Sequence, residues 1–122
     1  MTKVDKTAEK LVSEIVAGMK EKKARGISIL DLRDLDQSVC DFFVICNAES
    51  TTQVSSIADS VEYFTKKELN EKPLHVEGKD NLIWVLLDYG NVVVHVFQDE
   101  YRGFYNIEEF WADAKRTDHP DE

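Results

Sequence analysis

The sequence predicts an α/β fold of the α+β-like kind, with a single mixed β-sheet of about five strands, flanking helices and the element order αββαβββα. A chain of 122 residues with 43% hydrophobic residues can build one ordinary core but not two. Segments with helical periodicity alternate with short apolar segments. A two-residue turn joins two of these apolar segments. We therefore expect one domain over residues 1–115, followed by a polar, mobile C-terminal tail at residues 116–122.

The first half of the chain predicts one helix and two strands. Apolar residues at helical spacing indicate an amphipathic helix from about Asp5 to Lys23, and Gly26 follows its end. The alternating segment Ile27–Leu32 predicts a strand, and the nearly all-apolar segment Asp41–Cys46 predicts a strand that is buried on both faces. The residues that form the helical stripe are Leu11, Ile15, Val16 and Met19.

The second half predicts a longer helix, three strands and a last short helix. Ser50 or Thr51 can cap the longer helix, and Pro73 prevents its continuation. The predicted elements are a helix to about Asn70, a strand at Leu74–Glu77, a hairpin at Leu82–Phe97 and a helix at Asn106–Trp111.

The hairpin has Gly90–Asn91 as its turn. Glycine at the first central position tolerates the positive φ of a type II′ turn, whose twist matches the flanking strands. Because side chains alternate along a strand, pairing outward from this turn predicts two chemically different faces. We expect the almost purely aliphatic face to point to the core, and it carries Val85, Leu87, Tyr89, Val92, Val94 and Val96.

The opposite face of the hairpin is mixed in character. It places Trp84 opposite Phe97, Leu86 opposite His95, and Asp88 opposite Val93. An indole, an imidazole and a carboxylate on one sheet face are more typical of a binding surface than of a core. The candidate partner-binding residues on this face are Trp84, Leu86, Asp88 and His95. The alternative, in which the chain's own helices cover this face, stays open.

An aromatic-rich segment follows the hairpin. Tyr101 and Arg102 are further candidates for exposure and partner contact. Four other side chains have the i, i+3, i+6, i+7 spacing that would seat a short helix on the sheet or cover one end of the hairpin. These are Phe104, Ile107, Phe110 and Trp111.

The charge balance restricts the class of partner. The formal net charge of −9 argues against direct nucleic-acid reading, because each phosphate contact would work against long-range repulsion. The densest basic run, Lys20–Arg25, ends the first helix, where cations interact favourably with the macrodipole. We therefore expect little direct contact with nucleic acid.

Residue spacing gives no positive signal for catalysis, a cofactor or a metal. His75, His95 and His119 are not spaced as a ligand set, and no nucleophile stands in a recognisable context with a base and an ordering carboxylate. Cys40 and Cys46 lie about 20 Å apart along a predicted strand, too far for a disulfide. With no signal peptide or apolar span in the sequence, we expect a cytoplasmic protein that does not bind membranes.

Two adjacent segments resemble a family signature. Residues 84–97 read W-V-L-L-D-Y-G-N-V-V-V-H-V-F, and residues 100–114 read E-Y-R-G-F-Y-N-I-E-E-F-W-A-D-A. The sequence resembles the ribosomal silencing factor family (RsfS, also called Iojap) over about residues 5 to 115. Ala48 departs from the usual glycine of a Gly-x-Ser turn, and Asn91 departs from the usual Asp. Similar blocks lie upstream at residues 31–33, 41–45, 50–53 and 57–59.

The resemblance implies a nucleotidyltransferase-like fold without the catalytic motif. Where those enzymes have a Gly-Ser phosphate turn, this chain has Ala48-Glu49-Ser50, and no carboxylates one residue apart follow on a strand. We therefore expect no enzymatic activity.

The resemblance also implies a function on the ribosome. It implies binding to the large ribosomal subunit through ribosomal protein fourteen, which sterically blocks association with the small subunit and represses translation under nutrient limitation. The acidity of the chain is consistent with a basic protein as the contact. Two alternatives stay open, namely a nucleotide-binding or nucleotidyltransferase-like enzyme, and a homodimeric adaptor that uses the same face on itself.

Overall fold

The computed structural model describes residues 2–121 of the chain, with side chains at residues 7–121. It confirms the α/β class and the single mixed sheet, which has six strands rather than about five. The elements are α1 (Thr2–Glu21), β1 (Arg25–Asp31), β2 (Phe42–Ala48), α2 (Thr51–Leu69), β3 (His75–Glu77), β4 (Trp84–Asp88), β5 (Val92–Gln98), α3 (Asp99–Tyr105), α4 (Ile107–Phe110) and β6 (Lys115–Asp118).

The strand order in the sheet is β3-β4-β5-β2-β1-β6. The β2–β5 pair is parallel, and the other neighbouring pairs are antiparallel. A parallel pair requires a crossover connection, and the segment that contains α2 supplies it. As predicted, the central strand β2 is buried on both faces, and Asn47 is its one partly exposed residue.

Helices α1 and α2 pack together on one face of the sheet and cover the larger apolar core. The two helices approach closely at Gly18. A side chain at this position would place its Cβ only 2.8 Å from the Cα of Val61, which is too close. The Ser60 hydroxyl donates a hydrogen bond to the Gly18 carbonyl at 2.8 Å. The predicted cap of α2 is confirmed at Ser50, whose hydroxyl accepts a hydrogen bond from the backbone N–H of Gln53 at 3.1 Å.

The hairpin between β4 and β5 has the predicted turn and register. The Tyr89 amide donates to the Val92 carbonyl at 2.9 Å, and Gly90 has a φ of +92°. The aliphatic face lies in the core beneath α1 and α2, as expected from the alternation. The observed pairs on the mixed face are Trp84 with Phe97, Leu86 with His95, and Asp88 with Val93.

The other face of the sheet carries a smaller apolar core. Its buried residues are Leu30, Leu32, Phe43, Ile45 and Phe97. The loop after β1 and the C-terminal segment cover this core with Leu35, Cys40, Tyr101, Ile107, Trp111 and Ala114. The three β4 side chains on this face, Trp84, Leu86 and Asp88, remain partly exposed. The second face is therefore covered in part and open in part.

The C-terminal part differs most from the prediction. The helix expected at residues 106–111 is α4, and the sequence reading missed α3, which precedes it. The tail prediction is wrong for residues 116–118, which together with Lys115 form β6 against β1. All four side chains of β6 are exposed, so no apolar alternation marks this strand in the sequence. Residue 122 of the predicted tail lies outside the described residues.

Because two adjacent leucines lie on opposite faces of β4, we expect their replacement by alanine to lower the free energy of unfolding by different amounts. Leu87 is fully buried beneath the helices, whereas Leu86 is partly exposed on the other face. We expect Leu87→Ala to lower the free energy of unfolding by about 2–5 kcal/mol, because it leaves a cavity in the core. Leu86→Ala is the matched control and should cost clearly less in denaturant unfolding. Equal losses from the two substitutions would contradict the assignment of the faces.

Candidate protein-binding surface

A chain of aromatic rings extends from the mixed face of the hairpin onto α3. The ring centroids of Trp84 and Tyr105 are 4.7 Å apart, and those of Tyr105 and Phe104 are 5.1 Å apart. Tyr101 lies 6.4 Å from each of the rings of Phe104 and Tyr105. We call these four residues, Trp84, Tyr101, Phe104 and Tyr105, the aromatic surface.

The members of the aromatic surface differ in exposure. Phe104 is 76% exposed and Tyr105 is 42% exposed. Trp84 and Tyr101 are partly buried because both also pack against the smaller core. Large apolar side chains that stand in solvent next to partly buried rings are typical of a binding surface. The C-terminal segment therefore covers one part of the mixed face and leaves another part exposed, and partner binding by the exposed part stays a prediction.

Leu86 and Asp88 extend this surface along β4. Both are partly exposed, and both lie on the same side of the sheet as Trp84. The Asp88 carboxylate accepts a hydrogen bond from the Gly90 amide at 2.8 Å. Asp88 therefore supports the hairpin turn while it contributes negative charge to the open part of the face.

His95 lies beneath the surface, in contrast to the expectation that it meets a partner. Only 4% of its area is exposed, and its Nδ1 accepts a hydrogen bond from Trp84 Nε1 at 3.1 Å. Its ring meets the Phe43 ring edge-on, with the centroids 4.6 Å apart. Because Nδ1 accepts, the neutral imidazole carries its proton on Nε2, which has no hydrogen-bond partner among the described residues. His95 therefore supports the indole of Trp84 from below.

Arg102 is also less exposed than the sequence suggested. Its side chain is only 13% exposed, and its Nη2 lies 2.8 Å from a carboxylate oxygen of Glu108. The hydrogen bond from Arg102 holds the pKa of Glu108 below its usual range. Tyr101, the other residue expected to be exposed, is half-buried. Arg102 thus belongs to an internal polar network, while Tyr101 stands at the edge of the surface.

The predicted packing of Phe104 and Phe110 on the sheet is wrong, because both side chains are more than three-quarters exposed, at 76% and 79%. The prediction counted one helical period across residues 104–111. Asn106 has a φ of +49° and separates α3 from α4, so the two helices do not share one face. An Asn between two short helical segments was the signal available in the sequence, since Asn adopts the left-handed conformation more readily than most residues.

The surroundings of the aromatic surface are acidic. Between residues 99 and 114 the chain has five acidic residues and one basic residue. The one basic residue, Arg102, is paired with Glu108. Glu100 and Glu109 are exposed on α3 and α4. Asp99 and Glu108 are also paired with Arg25 and Arg116. The exposed carboxylates of Glu100 and Glu109 therefore supply most of the local negative charge, and together with Asp88 on β4 we call them the acidic rim.

Fold and surface together define a six-stranded α/β domain with one helix-covered face and one partly open aromatic face. None of the helices in the described part of the chain has the length and apolar character needed to cross a membrane. A family model described as "Ribosomal silencing factor during starvation" matches residues 5–122. The chain therefore belongs to the ribosomal silencing factor family, and the membership predicted from the sequence is confirmed.

Individual relatives agree with this assignment. The chain is 39% identical over 105 residues to ribosomal silencing factor RsfS of Bacillus subtilis (strain 168), which covers 84% of this chain and 85% of that protein. It is 36% identical over 109 residues to the factor of Halalkalibacterium halodurans, with coverage of 87% and 89%. The crystal structure of a protein from Chromobacterium violaceum matches with a TM-score of 0.80 and 29% identity, covering 85% of each chain. The similarity thus extends over most of the domain.

The buried imidazole predicts a pH dependence of folding. Burial lowers the pKa of His95 to about 3, whereas in the unfolded chain it returns to about 6.5. Between these values the unfolded chain binds one more proton, so stability is lost as the pH falls below about 6.5. We expect His95 to lower the free energy of unfolding by about 2 kcal/mol between pH 6.5 and pH 4.5.

Denaturant unfolding at several pH values measures this contribution. His95→Gln should remove part of the pH dependence, while His75→Gln, which changes an exposed histidine, serves as the control. An unchanged pH dependence in His95→Gln would contradict the buried neutral state.

Proposed function

We propose that this protein represses translation by binding the large ribosomal subunit and blocking its association with the small subunit. The match of the silencing-factor family over residues 5–122 carries the proposal. Two relatives whose sequences are similar over most of this chain are named ribosomal silencing factors. In this proposal the direct contact is ribosomal protein fourteen of the large subunit, and repression operates when nutrients are scarce. Action on ribosomes implies a cytoplasmic location.

The aromatic surface supplies the apolar part of the proposed contact. Phe104 and Tyr105 are exposed, and Trp84 is held between Tyr105 and the smaller core. Leu86 continues the apolar strip along β4. Aromatic anchors of this kind contribute most of the binding free energy in protein interfaces.

The acidic rim supports a basic protein as the partner. Asp88, Glu100 and Glu109 carry negative charge on or near the aromatic surface. The chain as a whole has a net charge of −9, which repels bare phosphate backbone. Lysine or arginine side chains on a ribosomal protein would complement this rim and guide the encounter.

Occupancy alone accounts for silencing in this proposal. A compact chain of this length has a radius of gyration of about 14 Å, which corresponds to a diameter of roughly 35 Å. A rigid body of that size at the joining surface of the large subunit excludes the contacts that hold the two subunits together. The proposal therefore requires no catalytic step.

The local structure near Ser50 supports a role without nucleotide chemistry. Ser50 caps α2 through the Gln53 amide, and Ala48 is completely buried. Glu49 is exposed next to the turn, where a negative charge disfavours a phosphate group. Metal-dependent binding of a nucleoside triphosphate, detected by calorimetry, would contradict this part of the proposal.

Sedimentation of a cell lysate tests the proposed function directly. We expect the protein to co-sediment with free large subunits and to be scarce on small subunits and on translating ribosomes. Free small subunits should also fail to join large subunits to which the purified protein has been added. Recovery of all the protein at the top of the gradient, at near-physiological salt, would overturn the proposal.

A single substitution tests whether the aromatic surface makes the contact. Phe104→Ala should weaken binding to large subunits by about 2–4 kcal/mol, the range for an aromatic hot spot. Because Phe104 is mostly exposed, its loss should leave the fold intact, which makes it a cleaner test than Trp84, whose ring also packs against Phe97 at 5.0 Å.

Tyr63→Ala is the matched control for this experiment. Tyr63 is 61% exposed on α2, which covers the opposite face of the sheet, and its loss should not change binding. Equal binding of the Phe104 and Tyr63 variants would place the contact elsewhere. A change in oligomeric state, with ribosome binding unaffected, would favour the homodimeric adaptor.

A further inference from the structure

Arg102 is the centre of a saturated hydrogen-bond network. Its Nε and Nη2 donate to the two carboxylate oxygens of Glu108 at 3.1 and 2.8 Å. Its Nη1 donates to the Gly26 carbonyl and to Asn47 Oδ1, the latter at 2.7 Å. Its Nη2 also donates to the Ser28 hydroxyl at 3.1 Å. An arginine side chain has five N–H donors, and each of them has a partner here.

These partners lie on different elements of the fold. Gly26 and Ser28 belong to β1, Asn47 belongs to β2, and Glu108 belongs to α4. Arg102 itself is on α3. A single side chain therefore ties α3 to α4 and both short helices to two strands of the sheet.

The surrounding residues are arranged to accommodate this side chain. A Cβ at Gly26 would collide with the guanidinium group, and the φ of +63° at Gly26 favours glycine as well. Arg116 Nη2 gives Glu108 a second cationic partner at 3.0 Å. The side-chain Nδ2 of Asn47 donates a hydrogen bond to the Asp99 carboxylate at 2.7 Å. The Oδ1 of Asn47 is therefore available to accept from Arg102.

Apolar burial alone holds α3 and α4 weakly. Across residues 99–110, all of which the structure describes, no side chain is fully buried. Tyr101 and Ile107 are only partly buried against the smaller core. Segments with so few buried apolar contacts open readily unless other interactions hold them. The Arg102 network supplies such an interaction with the sheet, and it is less exposed than the other polar link, in which Asp99 contacts Arg25 and Asn47.

We propose that Arg102 is a positioning residue, which holds α3 and α4 in the orientation that presents Phe104 and Tyr105 without itself contacting the partner. This inference rests on the proposed function of the aromatic surface. Phe104 and Tyr105 lie two and three residues from Arg102 on the same short helix, so a rotation of α3 would displace both rings. Tyr105 would then also lose its contact with Trp84.

The conservative variant Arg102→Lys separates charge from geometry. Lysine keeps the positive charge but cannot form the planar, two-pronged contact with Glu108. Glu108→Gln changes the other side of the same contact and leaves Arg102 in place. If both residues act through the position of α3 and α4, the double variant should lose little more binding than either single variant.

Three measurements on the 122-residue chain test the proposal. The first is amide hydrogen exchange at residues 99–118, and the second is the indole N–H resonance of Trp84. The third is the affinity for purified large ribosomal subunits. Ile57→Val, a substitution in the helix-covered core, is the control for a general loss of stability.

We expect Arg102→Lys to accelerate exchange in residues 99–118 while the core of α1, α2 and β5 keeps its protection. The Trp84 resonance should shift, because the Tyr105 ring packs against the indole with the centroids 4.7 Å apart. Affinity for large subunits should fall by about tenfold, because α3 must then adopt its binding position without the charge-assisted hydrogen bonds that hold it there in the unmodified protein. Ile57→Val should keep its affinity and its Trp84 resonance.

Three results would overturn the proposal. Unchanged affinity of Arg102→Lys would remove any role in binding, and lost affinity with unchanged exchange and resonance would indicate direct contact with the partner. Faster amide exchange throughout Arg102→Lys would show that Arg102 stabilises the whole fold rather than positioning α3 and α4. If the unmodified protein fails to bind large subunits, the proposed function is wrong, while exchange and resonance still decide whether Arg102 positions the segment.

Discussion

The side-chain alternation of the β4–β5 hairpin, with its register fixed by the turn at Gly90, determines the layout of the rest of the molecule. Leu87 and its aliphatic neighbours face the helices, whereas Trp84 and Leu86 face the other side of the sheet. A register shift of one residue would exchange the two sets, burying Asp88 under the helices and exposing the aliphatic side chains. The position of α1 and α2 and the identity of the open face therefore depend on the same turn.

The elements that the sequence predicted well carry their own local signal. The hairpin has a turn with glycine at the required position, α2 has an N-cap and an apolar stripe, and β2 is apolar throughout. In contrast, β6 has no local signal, because its side chains are exposed and its pairing with β1 joins residues about ninety positions apart. The polar composition of Lys115–Asp118 is equally compatible with a tail, and only the partner strand decides between the two.

The sequence was sufficient to predict which face of the sheet carries the candidate site. It was not sufficient to predict how exposed each side chain on that face is. Period-two alternation assigns Trp84 and His95 to the same face, but it carries no information on what lies above them. The cover comes from the C-terminal segment, through contacts such as the edge-on packing of Trp111 on Phe43 at 5.9 Å. The Phe43 ring in turn meets the buried His95 ring, and Trp84 lies at the boundary of the cover. Exposure in this surface therefore follows from tertiary packing rather than from the sequence pattern.

Apolar contact and charge have different consequences if the protein acts by the proposed occupancy of the joining surface. The Trp84 and Tyr105 rings pack against each other in the free protein, so part of the side-chain ordering that binding requires has already taken place, and preorganisation of this kind favours affinity. The acidic rim acts at longer range, so it would raise the rate of encounter with the proposed basic partner and would be screened by salt. The lifetime of a complex depends mainly on the dissociation rate, which well-packed aromatic contacts lower. In the proposed mechanism the joining surface stays blocked only while the factor remains bound, so the aromatic contacts would govern the duration of silencing and the charges would govern how quickly it begins.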